Sequence, residues 1–207
     1  MRNGTKKEKA PRGRPRQFKE DEVLERVRGV FMAKGFSGAS LDDLATAAEI
    51  NRPSLYAAFG DKEQLYLRTL RRYGEQSVAV MESLFAKEAP IAERLGLVYR
   101  AAVGLYTAPP HSPGCMIINT AAVEAPSHPK IAAAASKLLA DIEAVFERAF
   151  ARAVADKETS ALPSPAARAR LAGGVLDTLA VRARLGAGPA ELKAFAQSMV
   201  PAICAKG

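Results

Sequence analysis

The amino-acid sequence predicts an all-α protein: a small N-terminal three-helix unit followed by a larger helical body. Three observations carry this. No segment sustains the period-2 alternation of a half-buried strand. Ala and Leu dominate over the β-branched residues that strands favour. From residue 19 onward, helix starts (Ser, Asn, Asp or Pro) and Gly- or Pro-rich stops recur at helix-length intervals.

A first helix is expected over about 19–34, with Val23, Val27, Val30 and Phe31 as its apolar stripe and Gly35 as its stop. The second starts at Ser40, whose hydroxyl suits the amide of Asp43, and Asp42 and Asp43 suit the positive helix N-terminus. Leu41, Leu44, Ala45 and Ala48 then form one apolar face. A break follows at Glu49-Ile50-Asn51, where Asn51 is a cap and Pro53 fits a first turn. In the short third helix, about 52–59, Leu55 and Phe59 should turn inward with Ile50, leaving Arg52, Ser54, Tyr56 and Ala57 to point elsewhere. Gly60 ends it, and Asp61 caps a long helix of about 62–87. Later helices are expected at about 91–107, 115–124, 129–155, 165–185 and 189–205, separated by Pro-, Gly-, Ser- or Asp-rich breaks.

With 207 residues, 48% of them apolar and 25% charged, the chain can bury a full core. The net charge is +8, of which +6 falls within residues 1–18. That points to a polyanionic partner. The run Arg12-Gly13-Arg14-Pro15-Arg16 is narrow enough for a DNA minor groove, where guanidinium groups meet enhanced negative potential. Two cysteines, Cys115 and Cys204, exclude a disulfide framework. The N-terminus shows no apolar leader, and the uncharged stretch 101–123 is broken by Pro109, Pro110 and Pro113. The expectation is therefore no membrane span and a reducing cytoplasm. An enzyme has nothing to stand on: the two histidines, His111 and His128, fall in loops, and no nucleophile or metal motif is present. Gly186-Ala187-Gly188 lacks the third glycine and the preceding strand of a dinucleotide loop. No cofactor is expected. An α-helical protein whose basic tail binds RNA or membrane non-specifically is the remaining competitor.

The pair of short helices beginning at Ser40 and Asn51 has the helix-turn-helix arrangement, in which the second helix enters the major groove. At this point the residues match a known pattern. Gly35-Phe36, Ser40-Leu41-Asp42-Asp43-Leu44-Ala45 and the run Leu55-Tyr56-x-x-Phe59-x-x-Lys62-Glu63-x-Leu65 closely resemble the tetracycline-repressor (TetR) family of bacterial transcriptional regulators, over about residues 17–77. Pro113-Gly114-Cys115-Met116-Ile117-Ile118-Asn119 and the run 179–188 resemble one branch of it. Two positions depart: Glu49 stands where glycine is usual at the turn, and Ala58 where His or Tyr is common.

The resemblance implies a homodimeric repressor on a palindromic double-stranded operator, released by a small-molecule effector. It divides the chain into a basic arm (1–16), a helix-turn-helix domain (17–77) and an effector-binding and dimerisation domain (78–207). The expected DNA-facing set is Arg12, Arg14, Arg16, Ser40, Asn51, Arg52, Pro53, Ser54, Tyr56 and Lys62. Arg52 is the base reader, since bidentate Arg to guanine is the commonest specific contact, and Tyr56 and Lys62 grip phosphates. Asp42 should cap or repel. Candidate effector contacts are Met81, Phe85, Tyr99, Val103, Tyr106, Cys115, Met116, Asn119, Thr120, Phe146 and Phe150, with few charges among them and hence a neutral or weakly polar ligand. The expected dimer surface comprises Val175, Leu179, Arg182, Leu192, Phe195, Ala196, Met199 and Ile203. The alternative is a redox- or metal-responsive regulator of the same fold sensing through Cys115, with His111 and Met116 as soft neighbours.

Overall fold

The computed structural model describes residues 18–109 and 114–205; Arg12, Arg14, Arg16 and His111 lie outside them. Among the described residues every regular element is helical: α1 Glu20–Gly38, α2 Leu41–Ala48, α3 Arg52–Phe59, α4 Lys62–Phe85, α5 Ile91–Tyr106, a π-turn Ile117–Ala121 running into α6 Ala122–Glu124, α7 Pro129–Ala155, α8 Pro165–Arg184 and α9 Pro189–Cys204. No helix among them is long and apolar enough to cross a membrane.

The first helix differs from expectation at its end. Gly35 takes φ 72° and ψ 178°, a conformation open to glycine, and interrupts α1 rather than ending it. One further turn brings Phe36 edge-on to Tyr66 at 5.2 Å, beside Phe31 at 4.9 Å from the same ring. α2 and α3 each span eight residues, too few to hold helical form alone, and they persist because both N-termini are capped and both inner faces are buried.

α4 leaves this small bundle and continues into the larger body, packing on α1, then α5 and α7. α7 lies along α8, and α9 closes on α5 and α8. The helix expected at 115–124 forms over 116–124, but its first half is wound as a wider π-helix, Ile117–Ala121, before continuing as α6. Asn119 Oδ1 accepts the Cys115 N–H at 2.6 Å, and the Thr120 hydroxyl donates to the Met116 carbonyl at 2.6 Å. Side chains thus engage backbone groups at the start of the segment, a competition that hydrophobic periodicity does not register.

A buried cation fastens the far end. Arg168 has no exposed surface, and its guanidinium donates to the carbonyls of Pro163 (3.0 Å), Leu162 (3.0 Å), Ser160 (3.3 Å), Ala205 (3.1 Å) and Ile203. It ties the loop before α8 to the end of α9.

Candidate nucleic-acid interface and cavity

The candidate interface is built by caps. Ser40 Oγ accepts the Asp43 N–H at 3.1 Å, while Asp43 Oδ2 accepts the Ser40 N–H at 3.0 Å, a closed capping box. Lys34, 2.7 Å away, and then Ser40 hold the Asp43 carboxyl down at about 2. The turn then passes through Glu49 at φ 56° and ψ 33°, left-handed backbone that the glycine usual here would enter more easily. Arg26 pairs with Glu49 at 2.7 Å across this turn. Asn51 Oδ1 accepts the Ser54 N–H at 2.9 Å and starts α3. Leu55 and Phe59 are buried, which turns Arg52, Pro53, Tyr56 and Ala57 outward, with Ser54 half-buried beside them.

Two polar groups behave differently from expectation. Asp42 neither caps nor stands alone: both its oxygens face the Arg52 guanidinium, whose hydrogen bonds lower the Asp42 pKa. Arg52 remains half exposed despite this pairing. The Lys62 ammonium closes the α1–α2 corner, donating to the Ala39 carbonyl at 3.0 Å and the Ser37 carbonyl at 3.4 Å, 4.6 Å from the Phe36 ring centre. These two carbonyls engage two of its three protons. Ala58 is buried, and its carbonyl accepts from Arg68 at 3.3 Å.

A cavity of about 590 Å³ lies between α1, α4 and α5, with Cys115 at its wall. Of the predicted effector contacts, Met81, Tyr106 and Cys115 line it. The others sit in packed interior. The Tyr99 hydroxyl donates to the Ala172 carbonyl at 3.2 Å, Thr120 and Tyr66 share a hydrogen bond of 2.7 Å, and Asn119 holds the Cys115 amide. Phe85 and Phe146 meet edge-on at 5.8 Å, and Val103, Met116 and Phe150 are fully covered. Sequence reasoning missed Tyr73, Gln76 and Ser77 on α4 and Val98, Ala101, Ala102 and Leu105 on α5, although their helical spacing marks one face on each helix. It also missed Glu25 and Arg28, which α1 contributes; nothing local distinguishes them from solvated charges. The Tyr73 hydroxyl donates to Cys115 Sγ at 3.3 Å. Burial raises the pKa of Tyr73, Tyr106 and Cys115, so this end of the cavity is uncharged at neutral pH.

The predicted dimer surface needs a correction. Val175, Leu179, Leu192, Ala196 and Ile203 are already covered within the chain, because α8 and α9 turn those faces onto α5, α7 and each other. Phe195 and Met199 are half-buried, and the Arg182 guanidinium lies 4.5 Å from the Phe195 ring centre. The apolar groups left outside α8 are Leu171, Val181 and Leu185, the last 82% exposed, and a Cβ added at Gly173 or Gly174 would meet open space.

Residues 23–69 match the family model described as bacterial regulatory proteins, tetR family. The chain is 33% identical over 144 residues to the uncharacterized HTH-type transcriptional regulator YezE of Bacillus subtilis (strain 168), a match covering 68% of this chain and 73% of that protein. It is 32% identical over 115 residues to the HTH-type transcriptional repressor BdcR of Escherichia coli (strain K12), covering 56% of this chain and 58% of BdcR, so it spans under two thirds of that relative's length. A solved structure of a cysteine mutant of the TetR-family regulator CifR, complexed with 26 bp of double-strand operator DNA, superposes with a TM-score of 0.83 at 29% identity, covering 92% of this chain and 99% of that one.

Proposed function

Because the chain belongs to the TetR family of bacterial regulatory proteins, we propose that it is a repressor: a homodimer that holds a palindromic operator through α3 and releases it when a small molecule fills the cavity. The observation that carries this reading is the capped α2–α3 pair, which presents Arg52, Pro53 and Tyr56 from a helix whose other side is locked into core. Base reading needs that rigidity, since a bidentate contact tolerates little displacement. In this reading Arg52 exchanges Asp42 for a guanine edge, Pro53 and Ser54 shape the surface, and Tyr56 and the free proton of Lys62 meet phosphates. Ser40 and Asn51 act as caps that orient the two helices. Arg12, Arg14 and Arg16 follow the minor groove. The naming of BdcR as a repressor and the operator complex of CifR support the same direction.

The second copy seats on the outer face of α8. Leu171, Gly174, Thr178, Val181 and Leu185 recur at alternating three- and four-residue steps, the seam of a helix bundle. Phe195, Met199 and Arg182 flank it on α9 and α8. A two-fold pair sets the two α3 helices one DNA turn apart, about 34–36 Å. On this reading residues 17–77 read the operator and 78–207 pair and sense, with α4 as the shared element. A ligand acts only insofar as it binds more tightly to a state in which α4 has shifted.

A mobility shift at moderate salt tests this, comparing DNA upstream of the protein's own gene with random duplex. Selective retention is expected. Equal retention of both, or sedimentation as a monomer at micromolar concentration, refutes it. Sensing through Cys115 is a second reading, favoured by the thiol's place on the cavity wall. Its raised pKa and burial oppose it. Rapid reaction of folded protein with a thiol reagent would favour it.

A further inference from the structure

We propose that the cavity takes an amphiphilic carboxylate, its apolar body among α4 and α5 and its anionic head on Arg28 of α1. The inference rests on the effector-released reading above and names the class of effector. A volume of about 590 Å³ suits a small organic molecule. The inner wall offers no formal charge, because Tyr73, Tyr106 and Cys115 are all held neutral by burial. Among the described lining residues only Glu25 and Arg28 are charged, so a charge on the ligand finds its partner on α1.

The two charges are not equivalent. Arg28 Nε donates to Glu25 Oε2 at 3.2 Å, and its guanidinium carbon lies 5.9 Å from the Tyr73 ring centre. The Arg28 side chain is 21% exposed and that of Glu25 52%. An incoming carboxylate can replace Glu25, which swings into water at little cost while Arg28 stays paired. An incoming cation would have to take Glu25 and leave a mostly covered guanidinium without its partner, which is far less favourable. The site therefore selects anions. Its head group rests on the helix against which α2 packs, so the ligand touches the reading unit directly.

Calorimetric titration of the full chain tests this with two matched probe series: decanoate, decanol and decylamine, and 2-naphthoate, 2-naphthylmethanol and 2-naphthylmethylamine. In at least one series the carboxylate should bind roughly tenfold or more tighter than its alcohol and amine. Arg28→Gln should abolish that preference. Glu25→Gln, at an exposed position that folding tolerates, should tighten the carboxylate by removing its competitor. No binding of either carboxylate, a preference for alcohol or amine, a preference that survives Arg28→Gln, or an affinity left unchanged or lowered by Glu25→Gln would each overturn the proposal. The operator shift is run alongside without probe: its absence refutes the repressor reading, whereas an intact shift with no carboxylate preference refutes only this inference.

Discussion

Replacing Glu124 by Ala should weaken the joint between the reading helices and the helical body by about 2 kcal/mol, the sum of two partly shielded charge-assisted hydrogen bonds. Glu124 Oε1 accepts the Ser37 N–H at 2.9 Å, and Oε2 accepts the Ser37 hydroxyl at 2.6 Å. His128 Nε2 stands 3.7 Å away, and the Glu124 side chain is 13% exposed. Fully buried, each such bond would contribute about 1.5–3 kcal/mol; partial contact with water reduces that to about 1. Glu124→Gln keeps one acceptor and should lose about half as much. For a chain of this length the Ala variant should melt roughly 4–8 °C lower. Burial alone would raise the Glu124 pKa, but the Ser37 bonds, then the His128 and Lys62 charges, outweigh it and leave the carboxyl below its usual 4.5. A depressed carboxyl stabilises the fold above its unfolded pKa and loses that contribution as pH falls through the folded value. The wild-type increment should persist from neutral pH to about 4.5 and fade below, while Glu124→Gln should lack that step. Thermal melting at several pH values measures it. An Ala variant melting within about 1 °C of wild type at pH 7 would show the joint to be held elsewhere.

Arg52→Ala should weaken operator binding roughly 10- to 100-fold and relax the selected sequence, whereas Asp42→Ala, which frees the guanidinium, should leave binding equal or tighter. Site selection on both variants decides this, and an unchanged preference with Arg52→Ala sinks the assignment. Glu49→Gly relieves left-handed backbone and should be more stable than Glu49→Ala by about 1 kcal/mol in urea denaturation; the reverse order would mean that the turn carries no strain. Arg168→Met withdraws the guanidinium from five carbonyls, of which Leu162 and Ala205 keep hydroxyl donors, and should cost about 3–5 kcal/mol. A urea midpoint close to wild type would mean that water replaces the guanidinium.

The helix ends were legible because they are written locally. The Ser40 and Asn51 caps, the inward pair Leu55 and Phe59, and the span of α3 depend on residues within a turn of each other. The odd turn at Glu49 was legible too, as a departure whose positive φ the structure then displays. The cavity lining was harder: aromatic and sulfur side chains on amphipathic helices look alike whether they face a cavity or a neighbour. Met81 reaches the cavity, while Phe146 and Phe150 do not.

By itself the sequence determined the helices of the described residues and the capped α2–α3 pair, since spacing and caps act over short distances. Tertiary structure decided which face of each helix meets another. It turned Leu192, Ala196 and Ile203 of α9 into the protein's own core, joined Lys62 to the α1–α2 corner, paired Asp42 with Arg52, and set two charges of α1 beside a cavity lined chiefly by α4 and α5. Each outcome depends on burial and on partners many residues away, and that information resides in packing, not in any local run of residues.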